Sequence, residues 1–186
     1  MSSALLVMDV QRDIVAAVDD GSGYLPRLRR AIDGARAADI PVIYVVIALR
    51  PGFPEVGTRN RPLAAIAQAG LYVEGAPGTE IHPDVAPRPG DVVVTKKRAS
   101  AFSGSDLDMV LRARGIDSLV LTGIATSAVV LSTLCRANDL DFGLTVLSDA
   151  CLDPDPEVHR VLTERLFPQW ADVLTADDWV KSLVSR

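Results

Sequence analysis

Ser118-Leu119-Val120-Leu121 runs straight into Thr122-Gly123-Ile124-Ala125-Thr126, and a helical pattern begins near Ser127. A short apolar run that ends at a glycine turn and then a helix is the strand-to-helix step of an α/β fold. Runs of the same kind stand on either side: Ala4–Met8, Val42–Ile47 and Val92–Val94 before it, Leu144–Leu147 after it. They are apolar throughout rather than alternating, which suits strands covered on both faces. Helical stripes lie between them, through Leu25, Leu28 and Ile32, through Leu107, Val110 and Leu111, and through Val158, Val161 and Leu162. Asp106 and Asp155, the latter before Pro156, read as N-caps, and Gly115 stands where a helix stops before the next strand. Gly21-Ser22-Gly23 reads as a flexible turn ahead of the first helix, and the tail predicts a short strand near Val173 and a helix from about Ala176. The pattern predicts a parallel sheet with helices on both sides.

One stretch breaks the rhythm. From Leu49 to Asp91 the chain carries Pro51, Pro54, Pro62, Pro77, Pro83, Pro87 and Pro89 out of twelve prolines, with one weak helical patch at Leu63–Ala69. That is too long for an ordinary connection, so it is expected to cover a site or make a subunit interface. There is no internal repeat and no low-complexity segment.

The 186 residues suit a single domain spanning 1–186. A net charge of -5 argues against nucleic acid or an anionic membrane as partner, with a local basic site left open. The N-terminus has no basic region ahead of its short apolar run, which predicts a cytoplasmic protein with no membrane span. Cys135 and Cys151 are expected as two buried thiols rather than a disulfide.

In an open parallel sheet, ligands bind beyond the carboxyl ends of the strands where their order reverses. Three places qualify. The first strand ends in Asp9, a carboxylate facing a crevice or a helix cap. The third runs into Thr95-Lys96-Lys97-Arg98 and Ala99-Ser100-Ala101-Phe102, a cationic cluster that can hold an anion or shift a neighbour's pKa. The fourth leads into the helix near Ser127, whose free N–H groups suit an oxyanion or a thiolate.

Together, Asp9 followed by Gln11, Lys96 ahead of Ser100-Ala101-Phe102, and Gly123-Ile124-Ala125-Thr126 opening a helix resemble the signature segments of the isochorismatase-like hydrolases, also called cysteine hydrolases. The likeness extends to Gly78-Thr79-Glu80-Ile81 and Pro89-Gly90-Asp91. The resemblance implies a three-layer, doubly wound α/β fold of about six parallel strands. It implies Asp9 as general acid/base, Lys96 as the site lysine with Lys97 as second choice, and a cis peptide expected between Ala125 and Thr126. With it come an oxyanion pocket near Ala128 and Val129, and assembly as a homodimer or homotetramer. The residues expected to touch substrate are Gln11, Phe102, Ala125, Thr126, Ala128 and Arg59, the last being either a carboxylate holder or a solvated arginine.

One departure decides the mechanism. The amidase branch reads Gly-x-x-Thr-x-x-Cys-Val, which sets Val129 in the cysteine slot. Valine supplies no nucleophile, so two-step covalent amide hydrolysis loses its first step. Cys135 lies about 240 degrees around an ideal helix from Val129, and Ser132 roughly 4.5 Å further along the axis. Isochorismatases resemble this chain in lacking the cysteine; there the aspartate protonates a vinyl ether before water adds. Ala99 stands where they have a tyrosine, and Val129 is bulkier than their glycine. The expectation is a hydrolase of a small molecule that forms no covalent intermediate; the alternative is an inactive member that binds or scaffolds.

His82 and His159, the only two histidines, have no metal-ligand spacing, so no metal is expected. There is no Gly-x-Ser-x-Gly elbow, P-loop or dinucleotide fingerprint, so no cofactor is expected. Phe53 and Asn60 accompany Arg59 in the excursion, and Trp170 and Trp179 serve either an interface or the core.

Overall fold

The computed structural model describes residues 2–19 and 21–184; the expected domain limits, 1 and 186, lie outside them. Six strands form one parallel sheet in the order β3-β2-β1-β4-β5-β6. They are β1 (Ser3–Met8), β2 (Val42–Ile47), β3 (Val92–Lys96), β4 (Ser118–Ile124), β5 (Gly143–Leu152) and β6 (Asp172–Leu174). The helices are α1 (Arg12–Val18), α2 (Tyr24–Ala37), α3 (Arg61–Gln68), α4 (Leu107–Ala113), α5 (Leu131–Asn138), α6 (Pro156–Val161) and α7 (Ala176–Val184). Among the described residues, no helix is long and apolar enough to cross a membrane.

The unbroken apolar runs follow from two cores, one on each face of the sheet. Leu5, Val7, Val42 and Tyr44 point to one face, where they meet Leu28 and Ile32 of α2 and Trp179 of α7. Ala4, Leu6, Met8, Ile43 and Val45 point to the other, against Leu107 and Leu111 of α4 and Leu134 of α5. Each leucine so buried contributes about 1.5–3 kcal/mol. Trp179 is therefore a core residue, whereas Trp170 is 41% exposed. Cys151 is buried, its thiol pushed up to about 12 by desolvation, but Cys135 is only partly buried, against expectation, and both are free.

Several local expectations need correction. Helix α1 was not anticipated; it follows the first strand almost at once, with only Ile14 and Val15 fully inside, so Gly21-Ser22-Gly23 separates two helices rather than preceding the first. Asp106 does not cap α4 with its side chain; Ser105 Oγ instead accepts from the Leu107 N–H at 3.3 Å. Asp155 does cap α6, accepting from Glu157 and Val158. The apolar stripe beyond it meets the core only at Leu162, because the helix widens there into a π-helical turn, and Val158 and Val161 stay exposed. Strand β5 runs past Leu147 through Ser148-Asp149 to Leu152; Asp149 earns its place by accepting from the Ala176 N–H at 2.7 Å, which caps α7.

The long excursion is stitched to the ends of the central strands. Leu49 bridges Val73 beyond β2, and Gln11 bridges Ile81 beyond β1, with His82 N–H donating to the Val10 carbonyl. Helix α3 hangs between these stitches, its start capped by Asn60. The excursion thus roofs the carboxyl ends of the strands.

Candidate functional site

Under that roof lies a cavity of about 270 Å³, walled by Ile47, Leu63, Ile66, Ile124 and Pro154 among others, with Asp9 and Lys96 at its polar end. It sits at the point where the strand order reverses between β1 and β4. Asp9 follows β1 in a left-handed conformation, φ +56°, held by its N–H donating to Val45. β1 and β4 approach so closely here that Gly123, φ +141°, has no room for a Cβ against the Met8 carbonyl.

Asp9 Oδ2 stands 2.9 Å from Lys96 Nζ, and both side chains are almost wholly buried. Lys96 also donates to the Arg98 carbonyl at 2.8 Å. Asp9 Oδ1 is buried with no hydrogen-bond partner in the protein. Burial pushes the Asp9 carboxyl above the usual carboxylate range, against the pull of Lys96. Lys97 turns away to the Ala48 carbonyl, Glu55 and Glu74, so Lys96 is the lysine that stands beside Asp9.

Ala125, Ala128 and Val129 line the cavity, where Val129 offers only an apolar side chain. The cis peptide falls between Ile124 and Ala125, one residue earlier than expected. Of the N–H groups at the helix start, that of Ala128 donates to the Ala125 carbonyl at 3.1 Å and that of Ser127 to Asp153 Oδ2 at 2.7 Å, so neither is free for the expected oxyanion pocket.

Four of the expected contact residues do not reach the cavity. Gln11 is fully buried, its amide bridging the Ile47 N–H and carbonyl and the Thr79 carbonyl, so it is a brace between β2 and the roof. Phe102 packs on the α4–α5 side, its ring 6.1 Å from that of Phe142. Thr126 is buried with its hydroxyl 2.8 Å from His159 Nδ1, behind the wall. Arg59 is exposed outside the lining, although its neighbour Asn60 belongs to it. Phe53 packs against the α1–α2 core. Sequence reasoning missed Tyr72, Ile14, Val18 and Pro154 in the wall. For Pro154 a signal existed, since Asp153-Pro154 ends a strand; Tyr72 sits in a stretch without periodicity. Among the described residues no His, Cys, Asp or Glu cluster could hold a metal.

Gln11 gives a direct test of the brace. Gln11→Ala is expected to lower stability by about 2–4 kcal/mol, because it strands buried backbone groups. Urea denaturation checks the magnitude, and hydrogen exchange should show the Thr79–His82 amides losing protection first.

Comparison with known proteins agrees with this architecture. Residues 3–178 match the family model described as the isochorismatase domain. The chain is 30% identical over 182 residues to the uncharacterized isochorismatase family protein YwoC of Bacillus subtilis, covering 97% of this chain and 94% of that one. It is 34% identical over 184 residues to the ureidoacrylate amidohydrolase RutB of Stutzerimonas stutzeri, covering 83% and 71%. The crystal structure of N-carbamoylsarcosine amidase from Thermoplasma acidophilum superposes with a TM-score of 0.78 at 30% identity, covering 95% and 98%. With its sheet order, its Asp9–Lys96 pair and the family match over nearly its whole length, the chain belongs to the isochorismatase family of hydrolases.

Proposed function

We propose that this protein hydrolyses a small molecule without a covalent enzyme intermediate, with Asp9 as the general acid/base. The observation that carries the reading is the buried Asp9 carboxyl, one oxygen on Lys96 and the other unpartnered, in a cavity that Val129 helps to line. A carboxyl raised by burial holds a proton to give. Asp9 transfers that proton to the substrate; water adds to the resulting cation and returns a proton to the carboxylate. The adduct then collapses to a carbonyl as its hydroxyl proton passes to the departing group, which leaves as a neutral alcohol or amine. The cleaved bond gains H and OH, and Asp9 ends as it began. Lys96 keeps the carboxyl in one orientation and limits how far its pKa climbs. Val129 and the apolar wall exclude surplus water from the reacting atoms. The amidase names of two relatives put carbon–nitrogen bonds on the substrate panel beside esters and vinyl ethers.

The test is a turnover screen of wild type, Asp9→Ala and Val129→Cys against small amides, esters and vinyl ethers, read by mass spectrometry. Turnover by wild type that disappears in Asp9→Ala supports the reading. A silent wild type beside a Val129→Cys variant that turns over substrate or traps an adduct replaces it with a binding protein built on a retired site.

A further inference from the structure

A lysine ammonium has three N–H groups to place, and Lys96 places two of them. One faces Asp9 Oδ2 at 2.9 Å and one the Arg98 carbonyl at 2.8 Å; among the described residues nothing takes the third. Lys96 is almost wholly buried and lines the cavity, so this spare donor is open to whatever occupies it. The charge of Lys96 is matched only while Asp9 is ionised. Once Asp9 holds the proton it has to give, a buried ammonium is left against an apolar wall, the costly half of a broken ion pair. No second anion stands by to replace Asp9. Tyr24 of α2, Tyr72 of the roof and the Cys151 thiol of β5 are kept uncharged by burial. Asp153 is committed to the N–H groups of Ser127 and Asp155, Glu55 and Glu74 lie with Lys97, and Asp13 of α1 is exposed outside the lining.

The approach to the cavity is cationic as well. Asn60 and Pro62 line it, and the residues that alternate with them, Arg59 and Arg61, are exposed with no ion-pair or hydrogen-bond partner among the described residues. Two unpaired guanidiniums at the edge of the roof draw anions to this one place on a chain whose net charge is -5. We infer that the cavity takes a small carboxylate, which replaces the Asp9 charge beside Lys96, so that the ligand and a proton for Asp9 enter together. A ligand carboxylate and an ionised Asp9 compete for one ammonium, whereas beside a protonated Asp9 the ligand has it to itself. Anion binding therefore favours the acid form, and by reciprocity the acid form favours the anion. The inference rests on the cavity being the substrate site, as proposed above, and adds the charge of the substrate and the proton it brings.

Binding rather than turnover tests it, so its failure is distinct from failure of the hydrolase reading. Ligand-observed NMR titrations would follow crotonate and benzoate beside crotonamide and benzamide from about pH 6 to about pH 9, where the acids stay ionised. Carboxylate affinity of the wild type is expected to be highest at the acid end and to fall at least about tenfold as pH rises through the Asp9 pKa, while the amides hold theirs. Asp9→Asn, which cannot ionise, should keep the higher carboxylate affinity throughout, and adding Lys96→Met to it should remove that affinity but spare the amides. Arg59→Ala with Arg61→Ala should weaken the carboxylates at low salt, an effect that fades as salt is added. Carboxylate binding by Asp9→Asn that is no tighter than wild type at about pH 9 overturns the inference. So does a pH dependence that persists in Asp9→Asn, or failure of both carboxylates to bind. Carboxylates that bind as expected beside a wild type silent in the turnover screen leave the inference standing and count against the catalytic role of Asp9.

Discussion

Asp9→Asn is expected to reduce kcat by about 10²–10⁴-fold on whichever substrate the screen identifies, the range that loss of a general acid/base produces. Asparagine keeps the shape and still offers an oxygen to Lys96 Nζ, which lies 2.9 Å from the native carboxylate. What it removes is the transferable proton, so KM should move far less than kcat. The pH profile separates this role from simple positioning. Burial raises the Asp9 pKa, and the acid form is the one that acts, so the wild-type rate should fall as pH rises through that pKa. Lys96 favours the charged carboxylate; removing it in Lys96→Met raises the pKa further and should carry the falling limb to higher pH. A residual Asp9→Asn rate with the same limb would assign the titration to another group and end the acid/base role.

The second large effect is structural. Gly123→Ala is expected to cost roughly 3–5 kcal/mol, combining backbone strain with overpacking. Its φ of +141° lies where side-chain-bearing residues are rarely found, and a Cβ there meets the Met8 carbonyl oxygen on the adjacent strand. Neither neighbour can yield, because Met8 and Gly123 are paired in register at the centre of the sheet. Chemical denaturation should show the loss, and whatever remains folded should have lost Asp9 geometry, since Asp9 is the next residue after Met8.

The stretch from Ser118 to Thr126 conveyed a strand, a tight turn and a helix because each leaves a local mark: an apolar run, a glycine, then helical spacing. Asp9 and Lys96 were legible for a related reason, as polar residues ending runs otherwise apolar. Strand order was not written in any single run, since it depends on which edges pair across long separations. The wall of the cavity was equally hidden. Tyr72 and Ile66 come from the proline-rich excursion, whose path is set by bridges at its ends rather than by periodicity. Gln11 was misassigned because a buried amide bonded to backbone and a substrate-contacting amide look alike in a sequence. Only the carbonyls of Ile47 and Thr79, distant along the chain, distinguish them.

The two bridges that close the roof, Leu49 with Val73 and Gln11 with Ile81, have a consequence for how such a domain diversifies. They make the intervening chain a closed loop with both anchors on the sheet, and lengthening a closed loop is cheap: each doubling costs only about 0.6 kcal/mol of closure entropy. Roofs of different length and composition can therefore be exchanged between fixed anchor points while the acid and its lysine stay where β1 and β3 put them. Chimeras joined just inside those anchors would inherit a new cavity wall while the Asp9–Lys96 pair stays in place.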